Sequence, residues 1–267
     1  MKRIDMSKYK PFREMGKTCK TREIKEKRVV WPKFYLESYF NGRFRARVLR
    51  LGDVEEVAEL WRIGYPEVYG SNYDFVLYPE EIREKVALEE RWERDKYEKR
   101  YCMVIAEEIS TKKIVSCALL TKDDKNLEIE YSMLTTHPDY RGQHVRLGIS
   151  LAIEQKIAES GAEYLTTFLE TWHDITQKLC IRRGWKIAGI FPGRFTRWAG
   201  NNKEYRGCVV YMYRFINKGE EYATKPEEWS LADEVKEVWE CLEKINKKIE
   251  ENAEKYNIKE LKKFITP

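Results

Sequence analysis

The sequence predicts a mixed α/β (α+β) fold: a mostly antiparallel sheet of about seven strands with helices on both faces. Three observations carry this expectation. Seven short stretches, beginning at Phe44, Tyr101, Ile114, Leu127, Tyr164, Lys186 and Gly207, have the composition and apolar spacing of strands. Amphipathic helical stretches separate several of them. The two most apolar strands, Tyr101–Glu107 and Ile114–Leu120, are joined through Ser110-Thr111-Lys112-Lys113 as a hairpin, and their nearly continuous apolar composition places them centrally. With 267 residues, 42% of them hydrophobic, the chain can enclose one core of ~150 to 200 residues plus extensions. The expected organisation is a basic and aromatic arm at 1–41, the main domain at 42–217 and a helical extension at 218–267.

In chain order, residues 1–30 carry eleven Lys or Arg against four acids, which reads as a solvated arm or one docked on a partner. Trp31, Phe34, Tyr35, Tyr39 and Phe40 follow, and Asn41-Gly42 marks a turn. Phe44 to Leu51 alternates as a strand. Asp53 with Glu56 forms a capping box for a helix whose apolar face is Val54, Val57, Ala58 and Trp61. Between Gly64 and Pro79 lie Tyr65, Tyr69, Tyr73, Phe75 and Tyr78; core cover and pocket wall are both open to so aromatic a loop. A second, surface helix is expected from Glu80 to about Lys99, with a thin stripe at Ile82, Val86, Leu88 and Trp92.

From Leu127 the alternation of Leu127, Ile129 and Tyr131 against Glu128, Glu130 and Ser132 gives a fourth strand. After His137-Pro138-Asp139-Tyr140 the period changes: Val145, Gly148, Ile149, Ala152, Ile153 and Ile157 mark an amphipathic helix ending at Gly161. Between them stands Arg141-Gly142-Gln143-His144-Val145-Arg146. A basic loop opening a helix offers unpaired N–H groups and the positive end of the helix dipole, which suits a phosphate.

This strand, loop and helix, with Thr136-His137-Pro138-Asp139-Tyr140-Arg141-Gly142, resembles the acyl-CoA-binding motif of the GNAT N-acetyltransferase superfamily. The family pattern is Gln or Arg, two residues, Gly, one residue, then Gly or Ala. Laid on Arg141, its small positions fall on His144 and Arg146. The resemblance implies that acetyl-CoA, or another acyl-CoA, is held by Leu134, Thr135, Thr136, Arg141, Gly142, Gln143, His144, Val145 and Arg146, with Arg146 in a position to pair with a phosphate.

Tyr164–Glu170 is the next strand, and Asp174 caps a helix from Ile175 to Arg183 that Gly184 closes. The segment resembles the second GNAT landmark, with His173 at the family's Asn position and Cys180 at the position of the tyrosine that protonates the departing thiolate. A buried small residue in a helix is the other reading of Cys180. Lys186–Phe191 and Gly207–Phe215 read as strands joined by a long loop, Pro192–Arg206. This loop interleaves Arg194, Arg197 and Arg206 with Phe195, Trp198 and Tyr205, a binding surface for an anionic or carboxylated acceptor or for nucleic acid. The tail places Leu231, Val235, Val238, Leu242, Ile245 and Ile249 in a seam under three heptads long, which either docks on the domain or forms a homodimer contact. A last short helix is expected at Ile258–Phe264.

Acyl transfer to an amine needs a base, a polarised carbonyl and a way out for the thiolate. Glu128, then Glu130, are the expected bases, with His173 as an alternative and Cys180 as the proton donor. A backbone N–H near Leu134 to Thr136 would polarise the carbonyl, and Tyr73, Phe75, Arg194, Arg197 and Trp198 would contact the acceptor. The resemblance therefore implies acetyl transfer to an amine of a small metabolite. Two alternatives stay open: acylation of a protein N-terminus or lysine, and a non-catalytic acyl-CoA-binding or ligand-binding module. A formal net charge of +5, from 50 basic and 45 acidic residues, argues against nucleic acid as a partner. Six cysteines without CxxC spacing and three histidines argue against a metal site. The cysteines, with no long apolar run or signal segment, lead one to expect a cytoplasmic protein that no membrane holds.

Overall fold

The computed structural model describes residues 4–253; the helix expected at Ile258–Phe264 lies outside them. Nine strands form one sheet: β1 (Tyr35–Tyr39), β2 (Phe44–Val48), β3 (Val86–Ala87), β4 (Tyr101–Glu108), β5 (Ile114–Asp123), β6 (Glu128–Thr136), β7 (Tyr164–Glu170), β8 (Lys186–Gly200) and β9 (Lys203–Phe215). Among the described residues six helices accompany them: α1 (Val54–Gly64), α2 (Pro79–Lys85), α3 (Trp92–Glu98), α4 (Arg146–Lys156), α5 (Ile175–Arg182) and α6 (Asp233–Ala253). The strand order is β1-β2-β4-β5-β6-β7-β9-β8, with β3 beside β4. Among the described residues only the β3–β4 and β6–β7 pairs are parallel. The mixed, mostly antiparallel sheet expected from the sequence is therefore the one observed.

A core lies on each face of the sheet. Under α4, Tyr39, Phe44, Val104, Leu120, Ile129, Ile149 and Ile153 are buried together. Under α1 and α2 the core is Val57, Trp61, Phe75, Ile82, Met103, Ile105 and Leu119. Strands alternate their side chains between faces, so β4 and β5, covered on both sides, are apolar on both faces over Cys102–Ala106 and, Ser116 apart, Ile114–Leu120.

Several expectations need correction. The arm does not end at residue 41: β1 pairs with β2, and Val29, Trp31 and Phe34 are fully buried. Trp31 donates from Nε1 to the Lys99 carbonyl at 2.8 Å, so the expected boundary falls inside the β1–β2 hairpin. Asp53 does not cap α1 with its side chain; its carboxylate accepts from Arg50 N (2.8 Å) and Arg47, while Glu56 accepts from Ile114 N (2.8 Å). The expected Glu80–Lys99 helix breaks at Val86, which is buried and pairs with Tyr101 as β3. The loop expected at Pro192–Arg206 is instead the continuation of β8 and β9, turned at Asn201-Asn202. Both asparagines take positive φ (48° and 56°), the conformation of a two-residue hairpin turn.

The last described helix, α6, docks on the chain's own sheet. The Asn246 carboxamide accepts from Ile187 N at 2.7 Å and donates to Ile187 O at 2.8 Å, satisfying the outer edge of β8. Ile249 is buried beside it, whereas Val235 and Val238 of the expected seam are more than half exposed. None of the described helices is long and apolar enough to cross a membrane.

Candidate active site

Beyond Tyr131↔Thr167 the parallel pairing of β6 with β7 stops, although β6 runs on to Thr136 beside β5 and β7 to Glu170 beside β9. A bulge at Ser132 sits where the strands part, with Leu119 opposite Met133 but Leu120 opposite Tyr131. The gap is the mouth of a cavity of about 690 Å³ that passes from one face of the sheet to the other. Met133–Thr136 and Thr167–Glu170 form its edges. Arg146, Ile149, Glu154, Cys180 and Arg183 line the α4/α5 side, and Gly64, Tyr65, Tyr73 and Arg197 line the α1 side.

The loop before α4 is shaped by left-handed residues, Gly142 (φ 77°) and His144 (φ 56°). Among the described residues, the backbone N–H groups of Gly142, His144, Val145 and Arg146 donate to no protein acceptor. With the dipole of α4 behind them they make a cradle for an anion. Arg141 and Gln143 hold the loop rather than face the cavity with free side chains. Arg141 donates to Gly64 O (2.9 Å) and Thr136 O (3.3 Å), and Gln143 donates to Asp139 O (2.8 Å) and accepts from Arg43 (3.0 Å). Arg146 turns into the cavity and donates to Thr176 Oγ1 at 3.0 Å; burial lowers its pKa.

Solved structures share this architecture at low sequence identity. A ribosomal-protein-S5-alanine acetyltransferase from Vibrio fischeri is 10% identical with a TM-score of 0.53, the match covering 68% of this chain and 97% of that one. A variant spermidine N-acetyltransferase from Vibrio cholerae is 15% identical with a TM-score of 0.50, over 66% and 96% of the two chains. The chain has the GNAT fold. No family model matches the sequence, and no curated protein matches it.

Within this GNAT fold, the cavity gathers Tyr73, Leu134, Thr135, Thr136, Arg141, Gly142, His144, Val145, Arg146, His173, Cys180 and Arg197 of the residues expected at the site. Neither expected base lines it: Glu130 adjoins it through Tyr73, whereas Glu128 stands at the start of β6, short of the Tyr131–Thr136 stretch that borders the cavity. Glu130 accepts from the Tyr73 hydroxyl at 2.7 Å and Glu128 from Thr166 Oγ1 at 2.6 Å. Burial raises the Glu128 pKa. Burial, and then Arg146, lower that of His173, whose ring is neutral at pH 7. The Cys180 thiol is pushed up to about 11 by burial. That is above the ~8.5 of an ordinary thiol, so proton transfer from Cys180 to a thiolate would run uphill.

Three expected acceptor contacts are not at the cavity. Phe75 is 1% exposed, in the core under α1 and α2. Arg194 stacks on Phe168 and Phe195 at the surface, and Trp198 packs edge-on to Tyr69. The extension of the β8–β9 hairpin explains the last two, since Arg194 and Trp198 alternate along β8 with Phe195 and Arg197, which line the cavity. Arg197 does line it, but its fork is taken: Nε and Nη2 reach Glu170 Oε1 at 2.9 and 2.7 Å, and Tyr65 OH donates to the same oxygen at 2.5 Å. The sequence reading missed Glu170; its one signal is its place at the C-terminal end of a parallel strand. The Arg183–Glu154 ion pair (3.0 Å), which joins α5 to α4 inside the cavity, left no signal in the spacing.

Proposed function

We propose that the protein is an acyl-CoA-dependent N-acyltransferase that modifies an amine of a small metabolite. The observation that carries this reading is the opening between β6 and β7, next to four unpaired N–H groups at the start of α4, in a sheet with the GNAT fold. The amides of Gly142, His144, Val145 and Arg146 would hold the diphosphate, with Arg146 adding charge from within. The cavity-facing backbone of Met133–Thr136, having no strand partner on that side, would align the pantetheine arm. Acyl-CoA, once bound, supplies a thioester whose carbon–sulfur bond breaks as the carbon–nitrogen bond forms, the electron pair leaving on sulfur.

The chain's own groups would handle charge and protons. Tyr73 bridges the cavity to Glu130, so the amine's proton has a route through the Tyr73 hydroxyl to that carboxylate. Burial makes Cys180 a weaker proton donor than an ordinary thiol, and Arg146 and Arg183 beside it would steady the departing thiolate. On the acceptor side, Glu130 behind Tyr73 forms no salt bridge among the described residues, and Arg197 is already paired with Glu170. That wall suits a protonated amine better than the carboxylated acceptor first expected.

Calorimetric titration with CoA and acetyl-CoA tests the reading, with binding expected on the order of micromolar. Glu130→Gln should then lower turnover about 100-fold. No binding up to about millimolar would reject the cradle, and an acyl-CoA that binds but is never consumed would favour a non-catalytic module.

A further inference from the structure

The inner end of the cavity, between α4 and α5, is built unlike a pocket for a methyl group. Tyr131, Glu154, Cys180, Arg183 and Trp185 line it, with Arg146 above. Arg214 on β9 lies over the Trp185 ring, 5.4 Å from its centroid, and the Tyr131 ring meets that indole edge-on at 5.2 Å. Four buried donors here have no partner among the described residues: the Tyr131 hydroxyl, Arg183 Nε and Nη2, and Arg214 Nε. Buried polar groups are ordinarily paired, so the three orphans on the cavity-lining Tyr131 and Arg183, with that of Arg214 beyond Trp185, mark a place for an acceptor.

The charges agree. Among the described residues Glu154 alone answers the guanidinium groups of Arg146, Arg183 and Arg214, and it accepts from Arg183 Nη1. Cys180 is a neutral thiol and His173 a neutral ring at pH 7. The subsite therefore carries an excess of positive charge and of unpartnered donors, the chemistry that recognises a carboxylate.

We propose that the donor pocket takes an acyl group that itself ends in a carboxylate, a short dicarboxylic thioester such as malonyl or succinyl. The inference rests on the acyl-CoA reading and narrows it. Tyr131 and Arg183 bind the distal carboxylate, with Arg214 supporting them past Trp185. The transfer keeps the balance given above, and the distal carboxylate takes no part in it.

The test is calorimetric titration of the full chain with CoA, acetyl-CoA, succinyl-CoA and 3′-dephospho-CoA. The wild type is compared with Tyr131→Phe and with the charge-balanced double variant Arg183→Gln/Glu154→Gln. Succinyl-CoA is expected to bind wild type about 10- to 100-fold more tightly than acetyl-CoA, the range of one or two charge-assisted hydrogen bonds, and the ratio should fall toward one in both variants. Equal affinity in wild type overturns the inference without any variant having to fold, while leaving the cradle standing. A preference that survives both variants also overturns it. So does a loss of affinity on dephosphorylation that vanishes in the double variant, which would give these arginines to the cofactor's own phosphate. Failure of every CoA species to bind rejects the acyl-CoA reading, and this inference with it.

Discussion

Tyr39 lies across Gly148, so close that a β-carbon on Gly148 would fall 2.2 Å from the tyrosine ring. The same tyrosine donates its hydroxyl to the Val145 carbonyl at 2.9 Å. A residue of β1 thus fixes both the approach of α4 to the sheet and the last turn of the anion cradle. Gly148→Ala should cost about 1–3 kcal/mol, the usual penalty for overpacking a closed site. Thermal unfolding would show it as a lowered midpoint, and a wild-type midpoint would mean that the ring has room to move aside.

Glu128 carries a pH signature. Burial raises its pKa in the folded state above the ordinary value, so the native chain holds its proton to higher pH than the unfolded chain does. Between the unfolded and folded pKa values stability therefore falls as pH rises, and above the folded value the cost is complete. Glu128→Gln should remove that slope and stabilise the protein at pH 7. Urea unfolding at several pH values from about 4.5 to 8 would measure it, and parallel slopes for the two proteins would contradict it.

What could be read beforehand depended on how local the cause was. β4, β5, β7 and the core half of β9 are legible because burial on both faces, or clean alternation, writes itself into consecutive residues. The loop from Arg141 to Arg146 is legible for the same reason. The distal half of the β8–β9 hairpin was hidden because arginine alternates there with aromatic residues on a half-exposed ribbon, and because its turn depends on two asparagines adopting positive φ. The break at Val86 was hidden because its partner, Tyr101, arrives only later along the chain. Glu170 could not be picked out, since it gains its surroundings from Tyr65, 105 residues earlier, and Arg197, 27 residues later.

The Glu170–Arg197 pair is largely withdrawn from water, with side chains 14% and 9% exposed. Removing one partner strands the other, so Arg197→Met should destabilise by about 3–5 kcal/mol. Arg197→Met/Glu170→Met should recover much of that loss, because two apolar side chains then replace a matched pair. Denaturant unfolding of the set decides it. Equal losses in the single and double variants would show that the cost comes from packing of the guanidinium, not from an unpaired carboxylate.

Asn246 decides whether α6 belongs to the domain or merely follows it. Its carboxamide pairs with both backbone groups of Ile187, which otherwise stand on the outer edge of β8. Asn246→Leu would keep the side chain's bulk but leave an N–H and a carbonyl facing an apolar group, at a cost of about 1–3 kcal/mol. The unfolding should be local. With its paired edge lost, α6 can lift and admit water to Ile187 while the sheet behind stays folded, since β8 keeps its pairing with β9 along the opposite edge. Hydrogen exchange should then speed up in α6 and at Ile187 and leave β4 and β5 unchanged. Uniform acceleration across the sheet would instead make α6 a part of the cooperative core.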